Sequence, residues 1–262
     1  MKNICHEIFS ALGEIPDPRR DRTKIYPIEL ILFIALCTFL TGGRSFYEME
    51  LFAKTRRNWL KKMIHMTSIP SHDTFNRIFQ SITPENFTDF LINITKRLRK
   101  EISGEIVAFD GKTHCGTASE NITPLHMLNA WAVQNRLVLG QLAVPEKSNE
   151  ITAMPQLMDI LDFQDCIVTS DALNCQKNIA GKAIEKKADY VLAIKGNHSE
   201  IYDEVKLFMD NLARNTAPAI ETDYEKAHGR IEQRRFLLST EIDWLETKDE
   251  WRDLKSFCMV ER

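Results

Sequence analysis

The chain has 262 residues, 44% of them hydrophobic and 27% charged, enough for one large domain or two ordinary ones around a substantial core. The N-terminus, MKNICHEIFSALGEIPDPRR, lacks a signal-peptide plan, and no apolar run reaches the roughly 20 residues a bilayer requires, so a secreted or membrane-spanning protein is not expected. Six scattered cysteines (Cys5, Cys37, Cys115, Cys166, Cys175, Cys258) form no C-x-x-C pair and no framework, which argues against a disulfide scaffold or a zinc site and for the reducing cytoplasm. The net charge of −3 is unevenly spread: residues 1–104 hold 16 Lys and Arg against 11 Asp and Glu (+5), the remainder 18 against 26 (−8). A basic first third beside an acidic remainder suggests that one part meets a polyanion and the other holds carboxylates.

The first hundred residues show helical spacing and little else. A proline-punctuated basic loop, IPDPRRDRTKIYP, precedes an apolar segment over 27–40 that reads as a buried helix. TGGRS breaks it, and FYEMELFAKTRRNWLKKMI reads as one further helix. SIPSHDTFNRIFQSI places Ser71 or Asp73 as the N-cap of a short helix, and TPENFTDFLINITKRLRKEI is another, capped by Thr83 and ending in cations. Helices with basic ends and short turns fit a DNA-binding module, and fit an ordinary bundle equally well.

From about residue 105 the texture changes to strands. EIVAFD, LHMLNAWAV and RLVLGQLAV are short β-type runs, the last two separated by only QN, which implies a tight hairpin. A helix follows in SNEITAMPQLMDIL, then the strand CIVTSDA, the helix CQKNIAGKAIEKKA, the strand DYVLAIKGN and the helix HSEIYDEVKLFMDNLA. The order β-β-β-α-β-α-β-α, after an all-helical N-terminal region, is that of an α/β, ribonuclease-H-like mixed sheet with flanking helices.

In that order Asp110 ends the first strand and Asp171 the fourth. Two adjacent parallel strands would bring both carboxylates to the edge where α/β sheets hold their reactive groups. Charges placed so close repel unless a cation joins them. Oxygen donors favour Mg²⁺ (or Mn²⁺), which carboxylates and substrate phosphates hold together, and such ions serve phosphodiester displacement. The plainer reading is that each aspartate forms a turn, with Asp171 capping the helix that starts near Asn174.

A third acid is expected later in the chain, and Glu232 in KAHGRIEQRRFLLS is the candidate, although IEQRRFLLS alternates like a strand and Glu232 there could simply pair with Arg230 or Arg234. Lys112 lies on the same side of an extended chain as Asp110 and could contact a phosphate. Lys147 and Glu150 stand at a helix start, where free amides can hold an anion. Lys195 and Asn197 close the fifth strand on the edge shared with the aspartates. For each of these the plainer reading is a solvated polar residue. His114 and Cys115 have no partner at metal-ligand spacing, and no G-x-x-x-x-G-K-S/T loop signals nucleotide hydrolysis.

Seven blocks in order, IPDPRR, SIPSHDTFNRIF, AFDGKT, LVLGQLAVPEKSNEIT, CIVTSDALNCQKNIA, DYVLAIKGN and HGRIEQRR, closely resemble bacterial insertion-sequence transposases that include the H-repeat-associated proteins. The resemblance implies a DDE transposase: a helical N-terminal region over 1–104, then a catalytic domain over 105–262 that cuts and joins double-stranded DNA with Mg²⁺ or Mn²⁺. It maps Asp110 onto the aspartate of DGKT and Asp171 onto that of TSDA; Arg230, in the HGRIE block, is a weaker candidate for a DNA contact. The same block resembles a β-strand insertion, here from about 218, rather than the helix that looks to carry the family's third acid. His114 and Cys115 replace the family's usual Leu-Arg pair. Family members run on beyond the point where this chain stops, so a C-terminally truncated copy is expected, and the resemblance alone does not carry the family's activity over to it.

Three functions follow as expectations. One is a transposase acting as a homodimer on transposon ends and target DNA, in the cytoplasm at the nucleoid. The second is a non-catalytic DNA-binding remnant. The third is a stand-alone nuclease of the same fold.

Overall fold

The apolar segment that is too short for a bilayer forms the centre of a helical unit. In the computed structural model, which describes residues 2–20, 24–64, 66, 68–100, 103–114, 117, 123–144, 150–215, 222–227 and 230–261, the chain divides by internal packing into Met1–Arg99 and Lys100–Arg262. Helix α2 (Ile28–Leu40) buries Ile28 and every residue from Leu30 to Ala35, as a helix apolar on all sides must. It packs against α1 (Lys2–Leu12) and α3 (Phe46–Thr55). Among the described residues no helix is long and apolar enough to cross a membrane.

The segment read as one helix over 46–64 is two, α3 and α4 (Arg57–Met63), broken at Arg56 with φ −101° and ψ 15°. Thr55 supplies a local cause, since its hydroxyl donates to the Leu51 and Phe52 carbonyls at 3.0 and 3.1 Å and competes with the helical ladder. The break lets α4 bury Leu60 while Trp59 stacks on Phe33 of α2 with ring centroids 6.1 Å apart. Ser71 precedes α5 (His72–Ser81) but makes no side-chain cap bond. Glu50 of α3 does that work, accepting from the His72 backbone N–H at 2.8 Å. Thr83 caps α6 (Pro84–Leu98) as expected, its side chain accepting from the Asn86 N–H, a bond worth about 1 kcal/mol.

The second unit carries a five-stranded sheet in the order β3-β2-β1-β4-β5. Its strands are β1 (Ile106–His114), β2 (Leu125–Ala132), β3 (Leu137–Val144), β4 (Ile167–Ser170) and β5 (Asp189–Leu192). β1, β2 and β3 pair antiparallel, whereas β4 joins β1 in parallel and β5 joins β4 in parallel. Helices α7 (Glu150–Ile160), α8 (Lys177–Glu185) and α9 (Ser199–Asn215) follow β3, β4 and β5, so the element order matches the ribonuclease-H-like expectation. Val107, Phe109, Leu128, Ala130 and Val168 bury one face of the sheet, against which α7 and α8 place Met154, Leu157, Ile179 and Ala183. A second sheet, β6 (Thr222–Ala227), β7 (Arg230–Ser239) and β8 (Phe257–Glu261), is antiparallel throughout.

Three strand boundaries differ from the sequence reading. β1 does not end at Asp110 but continues to His114, paired with β2 as far as His114 opposite Leu125. The β2–β3 turn spans Val133 to Arg136 rather than two residues, and Arg136 takes a left-handed φ of 55°. Buried Glu105 braces it by accepting from the Gln134 N–H at 2.8 Å and from the Asn135 side chain. β5 ends at Leu192, so Lys195 and Asn197 lie beyond the strand, Asn197 within the 3₁₀ turn Gly196–His198.

Glu50 gives the helical unit a pH dependence. The Lys54 ammonium first, then the N–H and imidazole of His72, hold its carboxyl at about 2 instead of 4.5. A folded value below the unfolded one stabilises fully above 4.5, and that contribution is lost as pH falls towards 2. Glu50→Gln should therefore lower the thermal midpoint at neutral pH, with the gap from the parent protein closing as pH drops through that window. A gap independent of pH would contradict the assignment.

Candidate active site and nucleic-acid surface

The last parallel pair between β1 and β4 is Phe109 opposite Ser170, and each is followed by an aspartate. Hydrogen-bonded strands lie about 4.8 Å apart, so Asp110 and Asp171 leave this register side by side. Ser170 ties the strands at that level, its hydroxyl donating to the Phe109 carbonyl at 3.3 Å. What ends here is the parallel pairing of β1, while the strand itself runs on beside β2 with Asp110 opposite Asn129.

Both aspartates are exposed. Asp171 does cap a turn: its Oδ1 accepts from the backbone N–H of Asn174 at 3.4 Å and from Asn174 Nδ2 at 3.3 Å, closing the 3₁₀ turn Ala172–Asn174. That use leaves Oδ2 without a partner among the described residues, and Asp110 has none at all there. Two carboxylates in adjacent register, with three of their oxygens unengaged among the described residues, form a donor set that suits a hard divalent ion, which keeps sites for water and phosphate. Among the described residues no three His, Cys, Asp or Glu side chains converge as a metal cluster.

The other predicted residues separate into groups. Lys112 is exposed on β1 two positions after Asp110, hence on the same face, and has no partner among the described residues. Lys195 is likewise exposed and unpaired among them. Asn197 is engaged, Nδ2 donating to the Ala172 carbonyl at 2.9 Å, which holds the turn after β5 against the residue following Asp171. Glu232 and Arg230 lie on β7 in the second sheet, Glu232 in register with Glu225, and their side chains fall outside the described residues. Lys147, Cys115 and the helix-start residues Ser148 and Asn149 also fall outside them.

Sequence reasoning passed over two features. Glu150 is no solvated helix-start residue: only 3% exposed, it accepts from His126 Nε2 at 2.6 Å and from Asn174 Nδ2 at 3.4 Å. The second feature lies in the helical unit, where no acid occurs from Leu51 to His72. Arg56, Arg57, Lys61 and Lys62 are all exposed there and have no acidic partner among the described residues. An acid-free stretch of this length was visible in the sequence as a charge pattern.

Strands in this order, with a carboxylate after the last parallel pair of the two central ones, make the second unit a ribonuclease-H-like domain. The chain belongs to the transposase family described as Transposase DDE domain, which it matches over residues 91–252, and residues 9–94 match the DDE_Tnp_1-associated region. A protein from the dhlA 3′ region of Xanthobacter autotrophicus is 41% identical over 94% of this chain and 85% of its own length. The H repeat-associated candidate transposase YhhI of Escherichia coli K12 is 32% identical over 97% of this chain and 68% of YhhI. Among solved structures, the piggyBac transposase synaptic complex with hairpin DNA aligns at a TM-score of 0.40 and 13% identity, over 89% of this chain and 55% of that one, too loosely to transfer residue roles.

Gly111, between Asp110 and Lys112, is glycine for want of space, since a Cβ there would collide with the Glu150 carboxylate. Gly111→Ala should cost about 1–3 kcal/mol, as overpacking does, measured by chemical denaturation. An alanine variant as stable as the parent would show that the carboxylate can withdraw.

Proposed function

We propose that this protein cleaves and joins double-stranded DNA as an insertion-sequence transposase, with Asp110 and Asp171 as its metal-binding catalytic pair. The observation that carries this reading is the parallel β1–β4 register, which sets the two aspartates side by side within a DDE family domain. Asp110 and Asp171 would hold Mg²⁺ or Mn²⁺, which supplies charge neutralisation and activation of the attacking oxygen in phosphodiester displacement. Lys112 and Lys195 offer ammonium groups to the DNA phosphates near that pair, and Asn197 holds the turn that presents Lys195. Lys147 and Arg230 are weaker phosphate contacts. Glu232 is the weaker candidate for the third carboxylate.

The helical unit would grip DNA through Arg56, Arg57, Lys61 and Lys62, an electrostatic interaction that fixes no sequence preference by itself. Holding two transposon ends and a target together favours a homodimer on DNA, at the nucleoid. YhhI extends beyond the part that aligns with this chain, so the activity of such a whole protein is part of the proposal.

A second reading, a DNA-binding protein without strand transfer, is favoured by the lack of a third converging ligand among the described residues. Supercoiled DNA carrying the cognate ends, incubated with Mg²⁺ or Mn²⁺, separates the two. The transposase reading expects nicking and joining that Asp110→Asn or Asp171→Asn reduces by more than the roughly 100-fold typical of an outer-shell partner, with DNA affinity unchanged. Cleavage by Asp110→Asn at the parent rate would remove the site assignment. Binding without cleavage in either metal would select the second reading, and cleavage without joining a nuclease.

The DNA grip is tested by salt. Replacing Arg56, Arg57, Lys61 and Lys62 with Gln should flatten the plot of log affinity against log salt by about 0.9 for each phosphate no longer neutralised. An unchanged slope would place the DNA-binding surface elsewhere.

A further inference from the structure

Glu150 packs against Gly111, the neighbour of Asp110, and bonds to Asn174 in the turn that Asp171 caps. His126, 4% exposed, donates from Nε2 to Glu150 Oε1 at 2.6 Å, while its Nδ1 meets the Thr113 hydroxyl at 2.8 Å. Asn174, 1% exposed, places Nδ2 between two carboxylates, 3.4 Å from Glu150 Oε2 and 3.3 Å from Asp171 Oδ1. On the β1 side the Glu150 carboxylate packs so closely on Gly111 that a Cβ would meet its carbon at 2.5 Å.

These contacts join both aspartates to one buried group. Asp171 is reached through the Asn174 amide, and Asp110 through the backbone of its neighbour Gly111. The orientation of Asn174 shows which bonds dominate. Its Oδ1 is buried with no hydrogen-bond partner among the described residues, although such atoms are ordinarily satisfied. Flipping the amide would set that oxygen against two carboxylates and remove both donations. A buried carboxylate is also a costly way to seat a helix on a sheet, where an apolar side chain of similar volume is often as good or better.

We infer that Glu150 is a positioning residue for the Asp110–Asp171 pair, acting through Asn174 on Asp171 and through Gly111 on Asp110. This rests on the reading of those aspartates as metal ligands. Glu150 itself touches neither of them. Its role is to hold Asp171 Oδ1 in its cap, so that Oδ2 stays turned out, and to fix the height of β1 where Asp110 leaves the parallel pairing.

The test is Mn²⁺ affinity of the full chain without DNA, by electron paramagnetic resonance titration, with circular dichroism as a fold check. Asp110→Asn and Asp171→Asn should abolish binding. Asn174→Ala and Glu150→Ala should each weaken it by about 10- to 100-fold, the range for outer-shell partners. Glu150→Gln should restore most of the affinity, because its amide oxygen can accept from Asn174 while its NH₂ donates to the other tautomer of His126. A purely structural Glu150 would lose metal affinity only together with the folded circular dichroism signal. Parent-like Mn²⁺ affinity in Asn174→Ala would overturn the inference while leaving the aspartates in place. Should Asn174→Ala fail to fold, equal affinities of Glu150→Ala and the parent would overturn it instead. Parent-like affinity in both aspartate variants would overturn the metal-site reading itself, and the inference with it.

Discussion

Everything proposed for the second unit depends on the register between β1 and β4. Val107 and Val168 are opposite one another and fully buried, and Phe109 is opposite Ser170, so the buried face of both strands is settled before either aspartate is reached. A slip of one residue would turn every side chain of a strand to the other face, burying polar groups and exposing valines. The cost of that slip specifies the register, and the register places Asp110 beside Asp171. Core packing thus supplies the precision of a site whose own residues are exposed.

The carboxylates divide the work by environment. Asp110 and Asp171 face solvent with oxygens to spare among the described residues, which suits the proposed role of ion ligands. Glu150 is enclosed and spends both oxygens on His126 and Asn174. Asp171 accommodates two readings that compete in the sequence: one oxygen closes the 3₁₀ turn, and the other, without a partner among the described residues, is free for the proposed ion. A cap of this kind restricts the side chain to one orientation, which is useful preorganisation for a ligand.

Much of this was legible in the sequence, for identifiable reasons. The strand order could be read because IVAF, CIVT and YVLAI are apolar runs bounded by turn residues, with amphipathic segments between them. Thr83 was legible as a cap because capping is local. The extension of β1 through Gly111 to His114 was not, since a glycine and polar residues carry no strand signal and only pairing with β2 holds them extended. The break at Arg56 was also hidden, because Thr55 back-bonding acts with the need to bury Leu60. Glu150 was misread as a solvated helix start because its partners, His126 and Asn174, lie 24 residues away on either side. Burial of a polar residue by distant partners leaves no periodic trace.

The central claim is that this register builds one shared metal site from Asp110 and Asp171. Anomalous diffraction from crystals grown in Mn²⁺ tests it most directly. The account predicts an anomalous peak within about 2.0–2.3 Å of a carboxylate oxygen from each aspartate, as hard divalent ions require of oxygen ligands. An ordered site with no peak there, or a peak held by other residues with the aspartates turned away, would contradict it.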